Sequence, residues 1–133
     1  MYLDPQQEIF TSMFKLLSSR FENVYDAEIT GESPYPFIAF GECTQSDTAI
    51  KGANRGNVEM TLQVYHNDVE KRGTLSAMLY KIKAAACSIT ATANYGWRVT
   101  QMTQRILPDN TTDTPLLHGN LIITFEYIGA LNE

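Results

Sequence analysis

The chain predicts an α+β fold: a largely antiparallel sheet of about four to five strands with two helices packed on one face. Three observations carry that expectation. Two segments repeat apolar residues at helical spacing, and several others alternate apolar and polar residues at a period of two. Their order is helix, strand, strand, strand, helix, strand, strand, which segregates strands from helices instead of alternating them as a parallel α/β sheet requires. At 133 residues the whole chain, 1–133, is expected to form one domain, since that length buries roughly two thirds of its unfolded surface.

The first helix is read from Pro5 to Phe21. Asp4 is a suitable N-cap, Pro5 occupies the first helical position, and Gln7 sits where a capping-box side chain reaches back. Ile9, Phe10, Met13, Phe14, Leu16, Leu17 and Phe21 then recur every three or four residues as one apolar stripe. A short strand follows from Val24 to Ile29, and Thr30-Gly31-Glu32 leads into SPYPFIAFGE, Ser33 to Glu42. Its two prolines push Ser33 and Tyr35 toward extended geometry before a second strand at Phe37 to Phe40, or else turn a loop tightly.

From Thr44 to Gly56 the chain is polar, carries two glycines and has no clear period, so it reads as a long mobile loop, ordered only on assembly, or as a protruding hairpin. The next strand is unambiguous: Val58, Met60, Leu62 and Val64 alternate with Asn57, Glu59, Thr61 and Gln63. Asn67 with Glu70 three residues on reads as a second capping box, opening a helix to Ser88 with Leu75, Met78, Leu79 and Ile82 on one face. Trp97 to Leu107 and Leu116 to Ile128 are the last strands, joined by the turn-rich PDNTTDTP; in the second, Leu117, Leu121, Ile123, Phe125 and Tyr127 share a face.

Composition narrows the function. Fifteen acidic residues against ten basic give a net charge of -5, a poor match to a broad phosphate-binding surface. No apolar run approaches the roughly 20 residues of a membrane span, and the start MYLDPQQEIF lacks the basic and apolar regions of a signal peptide, so the chain is expected in the cytoplasm with no membrane partner. Cys43 and Cys87 have no CxxC spacing and read as structural thiols. His66 and His118 lack the companions of a metal or catalytic site, and no phosphate-binding, nucleophile-elbow or zinc-protease motif occurs. No cofactor and no enzymatic activity are expected.

Several stretches together resemble the tail-completion or tail-terminator proteins of long-tailed bacteriophages. They are the capped first helix, YPFIAFGE with Tyr35-Pro36, the polar loop containing Lys51, the strand VEMTLQVYH running at once into a helix, and LLHGNLIITFEY with His118-Gly119. Where that family's strand commonly ends in Trp-Ser, this chain has Tyr65-His66. The resemblance implies a virion protein made in the host cytoplasm, and a homo-oligomeric ring, a hexamer by expectation, that caps the head-proximal end of the tail tube. Such a ring stops tube growth and joins the tail to the head connector, so its implied partners are its own copies, the tail tube protein and a connector or neck protein, with DNA only in transit. Another neck or tail-tube subunit is the alternative in the same assembly; a small enzyme or ligand-binding domain is the alternative outside it.

Two sets of residues are candidates for such a role. Arg55, Arg98 and Arg105, with Lys51 as a weaker member, could pair with carboxylates of a neighbouring subunit, or simply be solvated; Phe37 and Phe40 offer an apolar edge. Asp26, Glu28, Glu59, Asp109 and Asp113 could line a channel whose negative charge repels passing DNA, although a solvated strand face explains them as well.

Overall fold

The computed structural model describes residues 4–27, 34–50, 53–110 and 113–129. The elements are α1 (Pro5–Arg20), β1 (Val24–Tyr25), β2 (Phe37–Ile50), β3 (Ala53–His66), α2 (Arg72–Ser88), β4 (Gly96–Asp109) and β5 (Leu116–Gly129). They form one sheet in the order β1-β2-β3-β5-β4. The four long strands are antiparallel to their neighbours, and only the short β1 lies parallel to β2. Both helices pack against one face, so the α+β expectation holds.

The core follows from the periodicities. Ile9, Met13 and Leu17 of α1 and Leu75, Leu79 and Ile82 of α2 are fully buried over Val58, Met60, Leu62 and Val64 of β3 and Leu121, Ile123 and Phe125 of β5. Each such side chain stabilises the fold by about 1.5–3 kcal/mol relative to an exposed one. Phe40 faces the same way, with its ring 4.9 Å from Phe10 and 5.9 Å from Phe14.

Asp4 caps α1 as expected, accepting from the Gln6 amide at 3.2 Å, but Gln7 makes no capping box. The second acceptor for the Gln6 amide is Gln45 of β2, at 2.8 Å, and Gln7 instead bonds Thr11 on its own helix. The helix is further tied by Glu8, whose side chain is buried. Its Oε1 accepts from the Thr92 hydroxyl at 2.6 Å and the Asn94 amide at 3.1 Å, and its Oε2 from the Asn94 side chain at 2.5 Å. Thr92 in turn accepts from the Trp97 indole at 2.8 Å, so one carboxylate pins the α2–β4 connection to the first turn of α1.

Further sequence expectations change. The strand after α1 is limited to Val24–Tyr25, while Ile29 falls outside the described residues. Of the two readings of the prolines, the tight turn holds: the chain bends at Tyr35 and Pro36, whose peptide bond is cis. The capping box at Asn67 and Glu70 is absent. Asp68 accepts from the Glu70 amide at 2.9 Å in a turn, and α2 begins at Arg72 without a side-chain cap.

The polar stretch from Thr44 belongs to a hairpin, not a loop. β2 and β3 stay paired from Cys43 and Met60 out to Ile50 and Ala53, and the hairpin does not protrude, because β5 accompanies β3 as far as Asn54 and Gly129. Gly56 serves close approach here and not flexibility, since a Cβ would lie 2.1 Å from the Ser46 carbonyl oxygen and 2.8 Å from the Tyr127 hydroxyl. That hydroxyl donates to Asp47 of β2.

Burial, and next the hydrogen bond to Asp47, push the Tyr127 phenol above its ordinary value of 10.0. A folded value above the unfolded one contributes stability that is complete below about pH 10 and is lost as pH rises past it. Tyr127→Phe is expected to cost about 1.5–3 kcal/mol at neutral pH, the worth of a hydrogen bond to a carboxylate. It should also flatten the loss of stability above pH 10 in urea titrations; parallel curves for wild type and variant would contradict this assignment.

Candidate functional site

The face of the sheet opposite the helices carries no helix among the described residues. Residues directly opposed across antiparallel strands point to the same face, so the register writes out its composition. At one end Phe37, Tyr65, His118 and Leu107 form a row; next come Ala39, Gln63, Asn120 and Arg105. Thr61, Ile122 and Thr103 follow, then Thr44, Glu59, Thr124 and Gln101, then Ser46, Asn57, Glu126 and Arg98. Arg55 and Ile128 complete the far end.

The aromatic row is self-contained. Tyr65 and His118 stack with centroids 4.5 Å apart and planes 5° from parallel, and Phe37 lies 5.1 Å from Tyr65. Tyr25 and Tyr35 close over Phe37 at 5.7 and 5.4 Å, leaving it 7% exposed. Ring faces already in contact are not a platform for a stacked base. The His118 Nε2 hydrogen-bonds Gln63 Oε1, and His66 Nδ1 accepts from the Asp68 amide at 3.2 Å, so both histidines have structural partners.

At the other end the Arg98 Nε donates to Glu126 at 2.7 Å. This hydrogen bond holds the Glu126 carboxyl below its ordinary 4.5, opposed by some desolvation and reinforced by the charges of Arg98 and Arg55. The structure thus sets Arg55, Arg98 and Arg105 on one face, all exposed, with Arg55 and Arg98 flanking Glu126 and Arg105 standing apart beside Asn120. Glu126 is the member that sequence reading missed. The signal was the second face of β5, where His118, Asn120, Ile122, Thr124 and Glu126 alternate with the apolar set.

Phe40 does not belong to this surface. It is 2% exposed, pointing at α1 on the core side, so its assignment to an apolar edge is corrected. Lys51 and Glu28 lie outside the described residues. The other acids are not gathered into one wall. Glu59 stands in the middle of the bare face, and Asp26 borders a groove with Gly41, Glu42, Thr61 and Gln63. Asp109 ends β4, while Asp113 is exposed beside Tyr35 and Asn67 at the aromatic end.

Burial pushes the half-buried Cys43 thiol up to about 11, which keeps it protonated and unreactive at neutral pH. Among the described residues no cluster of three or more His, Cys, Asp or Glu could hold a metal ion, and no helix is long and apolar enough to cross a membrane.

Fold and surface together define a class: among the described residues, an α+β fold of two helices and one sheet, with one helix-covered face and one bare, mixed-charge face. No protein-family profile matches the chain, and no curated protein matches it. Among solved structures it is similar to a chain of the virion of a native gene transfer agent (GTA) particle. The match has a TM-score of 0.63 at 14% identity and covers 94% of this chain and 95% of that one, a likeness of fold over nearly the full length of both.

Proposed function

We propose that the chain is a non-enzymatic structural subunit of a phage or phage-like virion. Within it we assign the tail-terminator role: a homo-oligomeric ring, a hexamer, on the head-proximal end of the tail tube, bound to the tube protein below and a connector or neck protein above. The observation that carries this reading is the end-to-end fold match to a chain of a virion particle. The sequence resemblance to tail terminators supports the finer role, as does a surface suited to contact and not to catalysis. Lys51, Arg55, Arg98 and Arg105 remain the interface candidates, whereas Phe37 is buried beneath Tyr25 and Tyr35 and drops out with Phe40; Asp26, Glu28, Glu59, Asp109 and Asp113 remain the candidates for a surface that lets DNA pass without holding it.

Negative-stain micrographs and native mass spectrometry of the purified chain test the ring. An annulus of uniform subunit number is expected, and binding of that annulus to one end of tail tubes separates a terminator from another neck or tube subunit. Particles that decorate the whole tube length, or a chain that never enters tails, would overturn the assignment.

A further inference from the structure

The sheet has two open edges, and they belong to different strands. β4 is covered only at its start, where the Trp97 amide donates to the Thr90 carbonyl at 2.9 Å and Ala91 bridges Gly96. From Arg98 to Asp109 no strand lies along its outer side among the described residues. β2 is covered by β1 at Ile38 and Ala39, and among the described residues no strand lies along its outer side from Gly41 to Ile50. Lysine, a common guard of an exposed edge, is absent from both stretches; proline occurs only at Pro108 near the end of β4, and each strand carries one bulge.

The strand directions make these edges complementary. Direction reverses from β2 to β3, from β3 to β5 and from β5 to β4, so β4 runs opposite to β2. A second copy placed head to tail therefore brings its β2 antiparallel to the β4 of the first, a heterologous contact of the kind that closes rings. Charge is complementary too. Arg105 is exposed on β4 and, among the described residues, unpaired. On the β2 side Glu42 and Asp26 are exposed, border one groove and, among the described residues, form no ion pair.

We infer that copies of this chain join by β-strand addition: the outer edge of β4 pairs antiparallel with Gly41–Ile50 of the next copy, and Arg105 meets Glu42 and Asp26 there. Because β1 occupies β2 at Ile38 and Ala39, pairing is confined to the stretch from Gly41 on, and the charge pair selects the register within it. Main-chain hydrogen bonds supply the contact, and the charge pair fixes which edge meets which. The inference deepens the ring reading and rests on it.

Glu42→Arg, Arg105→Glu and the double variant, compared with wild type by native mass spectrometry and sedimentation over a range of concentrations and salt, test it. Both positions are exposed, so each variant should melt like wild type. Each single reversal is expected to weaken self-association by about tenfold or more, and the double variant to restore it. If wild type forms rings and the single variants assemble equally well, the edge pairing is wrong and the ring reading stands. A wild-type chain that stays monomeric throughout overturns the edge pairing, and the virion role is then decided by incorporation into tails.

Discussion

Gly56→Ala is expected to destabilise the protein by about 3 kcal/mol, seen as a fall of roughly 10 °C in melting temperature. The added Cβ would sit 2.1 Å from a backbone oxygen, Ser46 O, which cannot swing aside as a flexible side-chain end could. It would also press on the ring and hydroxyl of Tyr127, at 2.9 and 2.8 Å, and so disturb the bond to Asp47. The β2–β3 ladder must part locally to make room. Gly73→Ala is the matched control: nothing lies within 4 Å of its Cβ position, it is in α2, and alanine should stabilise it by up to about 1 kcal/mol. Equal, small effects at both sites would show that Gly56 is not held by close approach.

Glu8→Ala should cost a similar amount, about 3 kcal/mol, for an electrostatic reason. It removes the acceptor for three hydrogen bonds and leaves Thr92 and Asn94 donors half-buried without it. Trp97 is the single tryptophan, and its indole donates to Thr92, so its fluorescence should report the loss. The expected result is a lower urea midpoint together with a shifted emission maximum in the folded state. Glu8→Gln, which keeps one acceptor oxygen, should fall between. An unchanged midpoint and unchanged emission would remove Glu8 from the set of groups holding the α2–β4 connection.

What could be read beforehand was whatever apolar residues repeat. α1, β3 and β5 stood out because their buried sides are apolar at every second or every third and fourth position. The outer half of β2 was hidden because its core side is satisfied by polar contacts: Gln45 accepts from the Gln6 amide of α1, and Asp47 accepts from Tyr127. A strand whose inward residues are Gln and Asp shows no hydrophobic alternation, and its partner glycine then looks like a loop residue. α2 began late for a related reason, since Asp68 spends its side chain on the turn before the helix. Of the candidate surface, the three arginines could be named from sequence, but their common face could not, because it depends on the bulge between Val99 and Gln101 that resets the alternation of β4. Glu42 was invisible as a partner until the open edge of β2 was known.

The order of the sheet also bears on synthesis. β5 is made after β4 but lies between β3 and β4. While a ribosome has not yet released Leu116–Gly129, the nascent chain can hold its β2–β3 hairpin, but β4 has no neighbour on its inner side and the hydrophobic layer beneath α2 lacks Leu121, Ile123 and Phe125. The last described strand to be translated thus acts as a completion signal: β4 acquires its place at the rim only once β5 is threaded in, so a chain that lacks β5 cannot form the finished sheet.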